Sequence, residues 1–308
     1  MKKVALVIDN SSGMPQEDID KLNVAKVIPI SFMVNGEEYY ENVNMTYSQF
    51  FEFLQDKNCN VSTSQPSIET VKEGWREVLK DYDELVYLLL SSGLSEACNA
   101  ALLASQDEEF SGKVFVVDNG GVSLLNKVPM FVSRYLINQG KSAGEIKEYL
   151  ESVKKDADAY IAVDTLKYLK KGGRITPAAA AVGTLLSIKP ILRVAGGGGK
   201  LDAAAKVISF KLAKSKIITL LKKQIEENYA EEYKNGEVII SVAHTMPNLD
   251  SAELKEFIAT VKQEFPDAPF FSEDPLPLFV TCHTGPGALA AGFVVDKTGA
   301  IAEYLKNN

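Results

Sequence analysis

The first half of the chain alternates short apolar runs with segments whose apolar residues recur at helical spacing. Val4 to Asp9 is a compact run of strand length. Lys26 to Val34 is another, closed by the turn dipeptide Asn35-Gly36. Thr46 is placed to cap a helix reaching about Lys57, with Phe50, Phe51 and Leu54 on one face. Ser67 is placed to cap the next, which carries Val71, Trp75, Val78 and Leu79 at helical spacing. Glu84 to Leu90 and Lys113 to Asp118 read as buried strands, a helix starts near Ser95, and helices follow near 122–139 and 143–155. This alternation predicts a mainly parallel sheet covered on both faces, an α/β/α arrangement of three layers.

The second half has a different rhythm. Asp158 to Asp164 is a strand at the junction, followed by a short basic helix, Leu166 to Lys171, that ends at Gly172-Gly173. Pro177 opens an alanine-rich helix that stops before Lys189-Pro190. Ile191 to Ala195 and Lys200 to Val207 flank Gly196 to Gly199 and read as a hairpin. A long helix spans about 210–228, Glu237 to His244 is a strand, and a helix over 250–264 is capped near Asp250. Leu276 to Cys282 and Ala288 to Val294 close the chain as strands. Hairpins with crossover helices predict a mixed sheet in a two-layer α/β unit. The expected domains are therefore 1–160 and 161–308.

Composition narrows the classes. With 308 residues the chain is long enough for two domains, and 46% hydrophobic with 24% charged residues is ordinary globular content. Lys and Arg number 33 against 41 Asp and Glu, a net charge of −8, which disfavours nucleic acid as a partner. Three scattered cysteines, none in a CxxC pair, fit a reducing compartment, and the two histidines form no metal-ligand spacing, so no metal is expected. The apolar run after Met1-Lys2-Lys3 is too short for a signal, and no run of 18 apolar residues exists. The expectation is a cytoplasmic protein without stable membrane insertion.

Four segments carry candidate chemistry. Thr63-Ser64-Gln65-Pro66-Ser67 sets hydroxyls at a helix entrance, where unpaired N–H groups and the helix dipole suit a carboxylate or phosphate; Ser67 also serves simply as a cap. Ser91 to Ser95 lies between a buried strand and a helix, at the sheet end where ligands collect, with Ser95 at the helix start. Gly172-Gly173-Arg174 offers either a bidentate anion clamp or a glycine cap beside a solvated arginine. His283 to Gly287 forms a rigid turn that places His283 at a strand end with Thr284 beside it. Gly196 to Lys200 is no phosphate loop, because Leu201 stands where Ser or Thr is required, and no GxSxG elbow is present.

In order along the chain, Asp9 with Ser11-Ser12, Pro29-Ile30, Thr63 to Ser67, Ser91-Ser92 with Leu94-Ser95, Asp118, Leu166 through Arg174, Ile188-Lys189-Pro190 and His283 to Gly287 resemble the DegV family of bacterial lipid-binding proteins. The resemblance implies a two-domain fold with one long-chain fatty acid between the domains, its tail in an apolar tunnel. It also implies no catalytic residue and no cofactor other than that ligand. Thr63 and Ser95 would then contact the carboxylate, while Ser64, Arg174, His283 and Thr284 would line or flank the mouth. Some family members deliver the bound acid to a separate fatty acid kinase subunit, which makes such a subunit a candidate partner.

The chain departs from the family pattern at Glu96 and Ala97, where Gly-Thr is usual, at Asn119 in place of Ser, and at Ile208 in place of Arg. A carboxylate at Glu96 repels a bound one unless it points away. A long acyl chain gains about 0.8 kcal/mol per buried methylene, so roughly a dozen give on the order of 10 kcal/mol before binding costs. The run Pro177 to Leu186, with Ala178 to Ala181 and Gly183 as small residues, leaves room for such a tail or serves close helix packing. Two other readings stand beside the carrier: a binding module for a different amphiphile, and a stand-alone phosphate-transferring enzyme.

Overall fold

The computed structural model describes residues 2–182 and 188–307. Its first sheet runs in the order β2 (Lys26–Ile28), β1 (Val4–Asp9), β6 (Glu84–Leu88), β7 (Val114–Val117), all parallel. A small antiparallel sheet follows the order β4 (Glu37–Tyr39), β3 (Ser31–Val34), β5 (Val61–Ser64). The third sheet has the order β10 (Asp202–Val207), β9 (Lys189–Ala195), β8 (Ala157–Ala162), β13 (Leu289–Val295), β11 (Val238–His244), β12 (Phe270–Pro275). It is antiparallel except between β11 and β12.

The helices of the N-terminal half are α1 (Gln16–Lys21), α2 (Tyr47–Phe53), α3 (Ile68–Val78), α4 (Glu96–Ala104), α5 (Leu124–Asn138) and α6 (Ala143–Ser152). Those of the C-terminal half are α7 (Lys167–Gly172), α8 (Pro177–Val182), α9 (Phe210–Asn228), α10 (Ala230–Lys234), α11 (Ala252–Glu264), α12 (Leu278–Thr284) and α13 (Ala300–Asn307). The chain is thus an α/β protein with a parallel N-terminal sheet in three layers and a mixed C-terminal sheet.

Side-chain alternation along the strands sorts the cores. In β1, Ala5 and Val7 face Trp75 of α3 and Ala101 of α4, while Leu6 and Ile8 face α5. In β8, Tyr160 and Ala162 face α9 and α11, while Ala159 and Ile161 face the N-terminal half. A period of two on strands buried on both faces produces this sorting. Helix α5 packs against β1, β8, β11 and β13, so one helix serves both large sheets. The division expected at residue 160 falls inside β8, whose residues pair with β9 and β13.

Two expectations are corrected. Lys26 to Val34 is not one strand: Pro29 has no N–H for the ladder, and the chain leaves the parallel sheet there. The side chain of Asn10 instead accepts from the Ile30 N–H at 2.8 Å, and β3 enters the small sheet, which had no separate signal. Leu276 to Cys282 is not a strand but largely α12, with Pro277 as its N-cap. A short apolar run does not distinguish a strand from a buried helix. The expected helix capped near Asp250 is α11, with Ser251 as its N-cap. Helices α1, α10 and α13 were not anticipated.

The glycine hairpin is present, and its composition has a packing reason. A Cβ on Gly93 would lie 2.2 Å from the Gly199 nitrogen, and one on Gly120 would lie 2.3 Å from the Gly198 nitrogen. The β9–β10 tip therefore rests backbone to backbone on the loops that follow β6 and β7.

Candidate functional site

Between the N-terminal and C-terminal sheets lies a cavity of about 390 Å³. That is inside the usual range of small-molecule sites. One wall is Ala159 and Ile161 of β8, Val194 of β9 and Ala290 of β13. The facing wall is Leu90, Leu94 and the segment Val122 to Leu125, and α12 closes a side with Phe279 and Val280. Thr63, Ser64, Ser95, Arg174, His283 and Thr284, spread over more than 200 residues of sequence, all line this one cavity.

Each polar group is held by local structure. Thr63 and Ser64 sit on β5, at the edge of the small sheet. Ser67 takes the capping role instead, accepting from the Thr70 N–H at 3.0 Å. Ser95 is the N-cap of α4 and accepts from the Ala97 N–H at 3.2 Å, which leaves its own hydrogen free to donate. Gly173, with φ 69°, ends α7, and Arg174 follows it. Arg174 Nε donates to the Leu94 carbonyl at 3.1 Å and a terminal nitrogen donates to the Gly172 carbonyl. Part of the guanidinium fork expected for a bidentate clamp is thus engaged by backbone. His283 lies near the end of a helix, not at a strand end as expected, because α12 replaces that strand.

His283 and Thr63 form the central pair. Thr63 Oγ1 lies 3.0 Å from His283 Nε2. Burial, with the nearby Arg174 charge, holds the imidazole pKa down at about 4, so the ring is neutral near pH 7. His283 Nδ1 is buried with no hydrogen-bond partner among the described residues. We assign the proton to Nε2, since the other tautomer would bury an unpaired N–H. His283 then donates to Thr63, and the Thr63 hydrogen is free to point into the cavity. Gly172 permits the arrangement: a Cβ there would lie 2.1 Å from His283 Nδ1.

Glu96 does not line the cavity; it is exposed on the first turn of α4 and accepts from Asn99 Nδ2 at 3.0 Å. Ile208 is exposed beside the N-cap of α9. Asp9 and Ser11 also stay out of the site. Buried Asp9 accepts from the N–H groups of Ser11 at 2.9 Å and Leu90 at 2.8 Å, which ties the ends of β1 and β6 together, and burial raises its pKa to about 6. Of the run Pro177 to Leu186, Gly183, Leu185 and Leu186 lie outside the described residues, while Ala179 is packed in the core.

Sequence reasoning missed two polar lining residues, Gln65 and Ser123. Gln65 was flanked by named positions. Ser123 has φ 52° and ψ −124°, a conformation costing a non-glycine residue on the order of 1–3 kcal/mol, and nothing in the sequence marks it.

Comparison with known proteins bears on this arrangement. The model described as "Uncharacterised protein, DegV family" matches residues 3–296. A DegV domain-containing protein of Deinococcus radiodurans is 31% identical over 288 residues, covering 93% of this chain and 96% of the relative. A DegV family protein from Thermus thermophilus, described by its fatty acid binding, superposes with a TM-score of 0.81 at 28% identity over 95% of this chain and 99% of its own. DegV from Bacillus subtilis, described as a fatty acid binding protein, gives a TM-score of 0.80 at 26% identity over 96% of this chain and 100% of its own.

Proposed function

This chain belongs to the DegV family, and from that premise we propose that it is a non-catalytic carrier of one long-chain fatty acid. The observation that supports this reading is an apolar cavity between two sheets with hydroxyls from β5 and the α4 N-cap on its lining. In the proposal the tail lies among Ala159, Ile161, Val194, Leu124 and Leu125. Burying it supplies most of the affinity. Thr63, oriented by His283, and Ser95, at the positive end of α4, donate to the carboxylate. Ser64, Arg174 and Thr284 flank the head group. Glu96, directed to solvent, does not oppose it.

The finer proposal is that the acid is presented to a separate kinase subunit that forms the acyl phosphate. The carrier then contributes orientation alone, holding the carboxylate in a dry site with neutral donors.

Native mass spectrometry of the purified protein, followed by identification of released lipid, tests the carrier reading. A one-to-one adduct of fatty-acid mass is expected. A bare protein that also ignores added palmitate and oleate refutes it. For the kinase step, acyl phosphate is expected only when carrier, ATP and kinase subunit are combined, with His283→Ala lowering transfer more than binding. Equal loss of both removes His283 from the transfer step.

A further inference from the structure

Ser123 stands at the N-cap position of α5, yet its hydroxyl does not cap. An ordinary capping serine has extended backbone, which swings Oγ over the second or third N–H of its helix. Ser67, Ser142, Ser209 and Ser251 all do this here. Ser123 instead takes positive φ, and its hydroxyl has no hydrogen-bond partner among the described residues. The residue is only 4% exposed and lines the cavity. The strained backbone is unfavourable for the empty protein, and no protein group among the described residues satisfies the hydroxyl. A ligand oxygen in the cavity would satisfy it.

Its placement says which end of a ligand it meets. Ser95 follows β6 and Ser123 follows β7, and those strands are parallel neighbours. Two backbone bonds hold the loops together at that end of the sheet: the Ser91 N–H donates to the Gly121 carbonyl at 3.0 Å, and the Ser123 N–H donates to the Ser11 carbonyl at 2.8 Å. The N-termini of α4 and of the 15-residue α5 therefore open at the same end of the sheet. Two positive helix ends, each with a free hydroxyl hydrogen, suit one anionic group.

We propose that Ser123 Oγ is a further carboxylate contact, and that it sets the preference for an ionised acid over a neutral head group on the same tail. This deepens the fatty-acid reading and rests on it.

The test uses the full chain with dodecanoate and dodecanol, which differ only at the head, measured by displacement of a fluorescent fatty acid. Ser123→Ala removes the hydroxyl. Ser123→Gly removes it and also relieves the positive φ, so it guards against a folding artefact. Both variants are expected to weaken dodecanoate about tenfold or more, as loss of a hydrogen bond to a charged group does. Both should change dodecanol by less than about threefold, and Ser123→Gly should melt at a higher temperature than the unsubstituted protein. A glycine variant that binds dodecanoate normally overturns the assignment, as does equal weakening of both ligands, which would mean a change of cavity shape. If the unsubstituted protein takes up neither dodecanoate nor a longer acid, the fatty-acid reading itself fails and Ser123 loses its role with it.

Discussion

Gly172→Ala is the most informative single change outside the cavity lining. Gly172 closes α7 without positive φ, so its backbone accepts alanine, and helix propensity alone would favour the change by about 1 kcal/mol. The obstacle is one ring. The new Cβ would stand 2.1 Å from His283 Nδ1 and 2.8 Å from Cε1. Reaching ordinary van der Waals separation requires the ring to move by roughly 1.3 Å. The Thr63–His283 bond, 3.0 Å long, does not survive such a shift. Thr63 is then free to turn its hydrogen elsewhere, and carboxylate affinity should fall roughly five- to tenfold, the size of one lost hydrogen bond. Overpacking should cost about 1–3 kcal/mol of stability against the propensity gain. Titration with palmitate reads the first effect, and the nitrogen chemical shifts of His283 read loss of the assigned tautomer. Gly173→Ala is the control: it strains a residue at φ 69° but meets nothing within 4 Å, so it should lower stability and leave affinity alone. Unchanged palmitate affinity and unchanged His283 shifts in Gly172→Ala would refute the idea that His283 orients Thr63.

Further outcomes follow from the same geometry. Thr63→Val and Ser95→Ala should each weaken palmitate by about 1–2 kcal/mol, measured by calorimetry, and unchanged binding in both would remove the head-group assignment. Glu96→Gln should leave affinity within about twofold at low salt, because the carboxylate faces solvent, and a large gain would show that it opposes the ligand. Glu41 accepts from the Leu278 N–H at 2.9 Å, and burial raises its pKa from 4.5 to about 7. Between those values the folded state holds the extra proton, so this group's contribution to stability falls as pH rises from about 4.5 to 7. Glu41→Gln keeps an acceptor and cannot ionise. Chemical denaturation should therefore find it more stable than the parent by on the order of 2 kcal/mol at pH 8 but not at pH 4, and a pH-independent difference would contradict the burial of that charge.

Elements with a local chemical signature were legible from sequence. Thr46 and Ser67 cap where capping chemistry places them, Asn35-Gly36 joins β3 to β4, and Gly173 closes α7 in the left-handed region. The six named polar lining residues were legible because each belongs to a segment marked by clustered hydroxyls or glycines, although Thr63 and Ser64 lie on β5 and His283 and Thr284 in α12. What escaped depends on partners distant in sequence. The run from Leu276 becomes a helix because it packs against α7 and β5, and its own apolar pattern does not specify a period. The split of Lys26 to Val34 was foreshadowed by Pro29, but the pairing of β3 with β5 is set by the fold. Ser123 was hidden among ordinary serine caps, since positive φ at a non-glycine residue is imposed by its surroundings.

Helix α5 has a thermodynamic consequence. Its buried face belongs to the core against β1 and to that against β8, β11 and β13. Melting either half strips apolar cover from the other, so the chain should unfold in one cooperative transition despite its two large sheets. A molecule bound between those sheets then stabilises the whole chain. At a free concentration 100 times its dissociation constant it adds about 2.7 kcal/mol to unfolding. The melting temperature thereby becomes a gauge of occupancy.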